Sequence, residues 1–263
     1  MKRWIQGGIL ALLCSTAPVM AEIKGEAVAY QSDGVTLKGY LAYDDSITGK
    51  RPGVLVVHEW WGHNEYARKR ARMLAELGYT ALAIDMYGDG KTADHPDNAK
   101  AFMMEVLNNI EAGRARFMAA KTVLETHSSV NKDKLAAVGY CFGGGTALAM
   151  MRMGVELDGV ASFHGSLGTD ISVEKGTIAT RVAVFTGGKD PMIPAKQVKA
   201  FEAEMKAAEV DYQLVVYPEA KHSFTNPDAD KFGKKFKMPL AYDENADKDS
   251  WQKLQVFLKD IFN

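Results

Sequence analysis

The chain has 263 residues, 25% of them charged and 47% hydrophobic, with a formal net charge of -1. That composition excludes a disordered, collagenous or low-complexity polymer, and the near-neutral balance gives no electrostatic reason to expect nucleic acid or an anionic membrane as partner. Two cysteines, Cys14 and Cys141, are too few for a disulfide-stapled scaffold.

At the N-terminus, Lys2 and Arg3 precede an apolar run over roughly Trp4 to Leu13, and Val19-Met20-Ala21 offers residues that a signal peptidase reads. The pattern predicts a secretory signal peptide over 1–21 and a mature chain over 22–263, exported to the periplasm and without a membrane partner after cleavage. The run is shorter than the about 20 residues a spanning helix needs. An uncleaved interfacial anchor is one alternative. A lipoprotein signal at Cys14 is another, disfavoured by the bulky Leu13 before it. Cleavage leaves Cys141 as the sole cysteine, either a buried small hydrophobe or a reactive group.

Downstream, Glu26 to Ser32 and Val35 to Tyr43 read as strands joined by Asp33-Gly34, a strong hairpin signal. Gly53 to Val57 is a continuous apolar run, as in a buried strand. Asn64 to Leu77 has helical spacing with Ala67, Ala71, Leu74 and Leu77 on one face and Gly78 as stop. Thr80 to Ile84 is a strand, and Asp97 to Thr126 is helical with room for one break. Then come a strand at Lys134 to Gly139, a helix at Phe142 to Met153, and strands at Val160 to Phe163 and Val182 to Thr186. A helix over Ala195 to Ala208, a strand over Tyr212 to Tyr217 and a helix over Ser250 to Phe262 complete the series. Phe232 to Asn245 is polar and reads as irregular, a candidate cover for a pocket. The alternation predicts one α/β domain: a mostly parallel sheet with helices on both faces and an N-terminal antiparallel hairpin. Its functional groups belong beyond the carboxyl ends of the strands.

The sharpest motif lies there. Gly139-Tyr140-Cys141-Phe142-Gly143 sits between strand and helix and has the form of a nucleophile elbow with cysteine in the nucleophile's place. The turn puts Cys141 at a helix N-terminus, which favours a thiolate, and aims the Phe142 N–H at a developing oxyanion. Asp190, in Gly187-Gly188-Lys189-Asp190-Pro191, and His222, in Glu219-Ala220-Lys221-His222, follow the next late strands. Taken singly, each reads as an ordinary loop residue. In the order nucleophile, acid, histidine they form the chain order of an α/β-hydrolase triad. Cys141 is then the nucleophile, His222 the proton carrier and Asp190 its orienter.

The loop His58-Glu59-Trp60-Trp61-Gly62-His63 supplies a second oxyanion donor, the Trp60 N–H. A zinc site is not expected, because the two histidines are five apart and leave a strand rather than a helix. Trp60 and Trp61 are candidate walls of an apolar pocket, with ordinary core or surface packing the equal alternative for Trp61, and Tyr87 and His164 are further candidate pocket residues.

These four motifs together resemble the dienelactone hydrolase family over essentially the whole mature chain. The resemblance implies an α/β-hydrolase fold without a large lid and hydrolysis of a small-molecule ester or lactone with no cofactor or metal. It also implies a role for Glu59, as the carboxylate that keeps the resting thiol protonated. The sequence departs from the family at the substrate. Where relatives acting on carboxylated lactones carry two arginines, this chain has Asp85-Met86-Tyr87-Gly88-Asp89-Gly90 and Asn226. A bidentate guanidinium clamp is missing, and Lys91 and Lys221 are the candidate substitutes. The competing class is a non-catalytic binding or redox-sensing protein whose lone thiol is oxidised. A metal-dependent hydrolase is a minor third. Oligomeric state is not readable from the sequence.

Overall fold

The computed structural model describes residues 23–263, so the expected signal segment over 1–21 lies outside the described residues. Strands β1 (Ile23–Ser32) and β2 (Val35–Asp44) pair antiparallel in full register around Asp33 and Gly34, both at positive φ as a tight two-residue turn requires. β2 then pairs antiparallel with β4 (Thr80–Ile84). Every later neighbour is parallel: β4 with β3 (Arg51–Val57), then β5 (Val130–Tyr140), β6 (Gly159–Phe163), β7 (Arg181–Gly187) and β8 (Tyr212–Tyr217). The sheet order is β1-β2-β4-β3-β5-β6-β7-β8. It is the mostly parallel sheet with an antiparallel opening hairpin that the alternation predicts.

Strand side chains alternate between two cores, as the period of two demands. Leu55, Val57, Leu82, Ile84, Val182 and Val184 face one layer, while Val54, Val56, Ala81, Ala83, Ala183 and Phe185 face the other. The first layer is covered by α3 (Ile110–Thr126), α4 (Phe142–Arg152) and α5 (Ala195–Ala207) through Phe117, Leu148 and Phe201. The second is covered by α1 (Glu65–Glu76) and α7 (Glu244–Phe262) through Leu74, Leu254 and Phe257. The chain turns from β3 outward to β4, then returns to β5 on the far side of β3. Val57 and Gly139 stand opposite each other at the carboxyl ends of β3 and β5. This switch point brings the loops after the two strands together.

The helical stretch over 97–126 does break: α2 (Pro96–Leu107) ends at Asn108, and Asn109 caps α3. The reading of 232–245 as irregular is corrected. Its first part belongs to α6 (Ala229–Phe236), and α7 starts at Glu244 behind Asp243, whose carboxylate accepts from Ala246 N–H. In α6 the lysines around Phe232 and Phe236 mask a narrow apolar stripe that packs on Trp61.

Asn64 caps α1, its side-chain oxygen accepting from the N–H groups of Tyr66 and Ala67. Asn64→Ala is expected to lower stability by about 1 kcal/mol, seen as a lower urea midpoint with an unchanged m-value.

Candidate active site

The elbow is built by close backbone approach. A Cβ on Gly139 would stand 2.0 Å from the Gly143 carbonyl oxygen, and one on Gly143 would stand 2.2 Å from that of Val57. With both positions bare, β5 turns at once into α4 and Cys141 takes φ 54°, ψ -116°, outside the regions non-glycine residues favour. The strain is held by its N–H, which donates to the Phe163 carbonyl at 2.9 Å and to His164 Nδ1 at 3.1 Å. The Phe142 N–H belongs to the first turn of α4, whose donors have no intrahelical partner.

His222 reaches the sulfur from the loop after β8, and Asp190 backs it from the loop after β7. Those loops are stitched together: Gly188 N–H donates to the Tyr217 carbonyl, and Lys189 N–H to that of Ala220. Asp190 Oδ2 lies 2.7 Å from His222 Nδ1, and His222 Nε2 lies 3.1 Å from Cys141 Sγ. The other Asp190 oxygen accepts from Met192 N–H at 2.8 Å. Burial by itself would lower the His222 pKa, but the adjacent Cys141 sulfur and the Asp190 carboxylate raise it to about 10. Sulfur, imidazole and carboxylate thus form one continuous relay, able to move a proton between the sulfur and a reacting group.

Glu59 is buried after β3, and its two oxygens accept from Ser223 Oγ at 2.9 Å and Asn226 Nδ2 at 2.6 Å. The resemblance pairs this carboxylate with the thiol. Here its partners lie on the histidine loop instead, because Ser223 and Asn226 bring donors to it. Burial raises the Glu59 pKa, opposed by these two hydrogen bonds and by the charges of His222 and Arg70.

The three tentative pocket residues are corrected, since none lines the cleft beside Cys141. Trp61 is 1% exposed and stacks on Phe232, its centroid 4.6 Å away, so that its neighbour Trp60 takes the lining position. Tyr87 is buried against His58 and Phe142, and its hydroxyl donates to the Trp60 carbonyl at 3.0 Å, holding that loop. His164 sits behind the nucleophile, bonded to Cys141 N–H and, through Nε2, to Thr225 Oγ1 at 2.8 Å. Burial, then the charges of His222 and Arg70, drive its pKa well down and keep it neutral. Lys91 lies over the Phe102 ring, and neither it nor Lys221 lines the cleft. His58 has both ring nitrogens engaged, Nδ1 donating to the Glu59 carbonyl and Nε2 accepting from Met86 N–H.

Sequence reasoning missed the support behind the histidine loop. Arg70 donates to the Thr225 carbonyl and to Asp247, both at 2.6 Å, and its guanidinium lies over Tyr66, Tyr140 and Trp251. Tyr66 in turn bonds Thr225 Oγ1. A signal was present: Arg70 falls inside the apolar stripe Ala67, Ala71, Leu74, where a charge must be paired.

Comparison with known proteins places the chain in a family of the same fold. The model of the dienelactone hydrolase family matches residues 37–262. A Yersinia pestis protein provisionally named carboxymethylenebutenolidase is 28% identical over 85% of this chain and 83% of its own. Among solved structures, m3DLH is 36% identical with a TM-score of 0.86, covering 92% of this chain and 99% of its own. A dienelactone-hydrolase-like promiscuous phosphotriesterase from metagenomic libraries is 33% identical with a TM-score of 0.85, covering 93% and 100%.

Proposed function

The chain belongs to the dienelactone hydrolase family and is a hydrolase acting on ester or lactone bonds; from that premise we propose that it works through Cys141, His222 and Asp190 by way of an acyl-enzyme, as a single exported domain released from its signal segment after Ala21. The observation that carries this reading is the relay from Cys141 Sγ to His222 at 3.1 Å and from His222 to Asp190 at 2.7 Å, opening on a cleft.

Cys141 Sγ, its proton passed to His222 Nε2, attacks the acyl carbon, forming an S–C bond and pushing the carbonyl electrons onto oxygen. The N–H groups of Trp60 and Phe142 receive that oxyanion, an interaction often worth about 10²–10³ in rate per donor. Collapse breaks the C–O bond, and His222 gives its proton to the departing oxygen. Water then attacks the thioester as His222 takes one of its protons. The S–C bond breaks, the acid leaves and the proton returns to the Cys141–His222 pair. Asp190 holds Nδ1 throughout and offsets the imidazolium charge. Glu59, bonded to the histidine loop through Ser223 and Asn226, is a positioning residue in this scheme.

Rapid acid quench during turnover of an activated ester is expected to yield a peptide containing Cys141 heavier by one acyl group. A sulfenic acid at Cys141 without ester turnover would instead favour the redox-sensing alternative.

A further inference from the structure

The cleft beside Cys141 encloses about 540 Å³, and its walls are mostly apolar, with Thr146, Ser166 and Thr169 as neutral polar exceptions. Met103, Leu107 and Ile110 come from the α2–α3 corner, Met192 from the loop after β7, and Met238 and Leu240 from the link between α6 and α7. Among the described residues, the one ionisable lining group apart from the Cys141–His222 pair is Asp170, an exposed carboxylate at the rim, and none of their lysines or arginines lines the cleft. Asn226, beside the catalytic histidine loop, is buried and spends its amide on Glu59. The apolar wall continues onto the surface, because Leu107 and Met192 line the cleft and are 45% and 40% exposed.

From this lining we infer that the substrate is a neutral ester with an extended apolar chain, and that esters carrying a carboxylate on that chain are rejected. The inference rests on the esterase reading above and deepens it. A carboxylate entering the cleft would lose hydration with no lysine or arginine among the described residues to replace it, the His222 charge being already paired with Cys141 and Asp190, and would meet Asp170 on the way in. A hydrocarbon chain gains burial at every methylene. Unbranched methionines on three sides adjust to its course and leave chain length, rather than a fixed shape, as the selected property.

The test compares 4-nitrophenyl acetate, butanoate and hexanoate with the mono-4-nitrophenyl ester of adipic acid, which matches the hexanoate in length but ends in a carboxylate. Expected kcat/KM rises about threefold per added methylene and favours the hexanoate over the adipate monoester by about 10²-fold. Asp170→Lys is expected to raise the adipate-to-hexanoate ratio about three- to tenfold, the range an exposed rim charge allows. Equal or better turnover of the adipate ester, or no gain with chain length, overturns the inference. Calorimetric binding of the hexanoate and adipate esters to the Cys141→Ala variant separates this from the catalytic reading. If the wild-type protein cleaves neither ester while the variant still binds the hexanoate more tightly, the triad proposal fails and the neutral apolar specificity stands. If the variant binds the adipate ester as well or better, the specificity fails whatever the triad does.

Discussion

Cys141→Ala is expected to lower kcat/KM toward activated esters by about 10⁴-fold or more while leaving the folded state intact. The size follows from what is lost: with no sulfur, His222 has no nucleophile to deprotonate, and only oxyanion donors and ground-state binding remain. The stability expectation follows from the surroundings. The Cys141 side chain packs at the edge of the core and opens on the cleft, so truncating it leaves no closed cavity. Alanine faces the same backbone demand at φ 54°, and the two bonds from the residue's N–H to Phe163 and His164 do not involve the side chain. Thermal unfolding should therefore shift by no more than a few degrees. Cys141→Ser, which keeps a hydroxyl against His222, should recover part of the lost rate. Wild-type turnover by the alanine variant would remove Cys141 from the reaction, and a large loss of Tm would make the activity loss uninformative about chemistry.

The relay was legible in the sequence because each member stands in the loop that follows a strand with a readable apolar run. Strand ends in a parallel sheet converge without any knowledge of side-chain packing. What depends on side-chain direction was not legible. Trp60 and Trp61 are adjacent, yet one lines the cleft and the other sits in a satellite core with Phe232 and Leu240. Tyr87 and His164 follow strands as predicted, but their polar atoms turn inward to hold the Trp60 carbonyl and the Cys141 N–H. Glu59 shows the same limit: its partners are set by a loop contributed 164 and 167 positions later in the chain. The helix over Ala229–Phe236 escaped because its stripe is only two aromatics wide among lysines, and it is helical largely through docking on Trp61.

The buried histidines set the pH limits of the fold, and the protein is expected to lose stability steeply as pH falls below about 6.5. His58, His63 and His164 are each buried and each has a lowered pKa. Burial is the largest cause in all three, with His63 brought down to about 3. In the unfolded chain these imidazoles take up protons near pH 6.5, while in the native chain they do so only at lower pH. Below that pH the unfolded state binds more protons, so stability falls by up to about 1.4 kcal/mol per pH unit for each group, in full for His63 and His164 and in part for His58. Partly exposed His127 shifts the same way. Glu59 opposes the trend. Its raised pKa means the native state takes that proton first, which adds stability as pH falls toward the ordinary carboxylate value. His222 acts on the alkaline side: its contribution is complete below about 6.5 and is lost as pH rises through about 10. Urea unfolding from pH 5 to 9 should therefore show a maximum near neutrality, with the acid limb the steeper. His63→Phe isolates one share of that limb, because His63 Nε2 has no hydrogen-bond partner among the described residues and its loss orphans none there. The variant should flatten the slope between pH 5 and 6.5 by about 1.4 kcal/mol per unit. A wild-type free energy that stays level from pH 7 to 5 would mean that these imidazoles take up protons in the folded state.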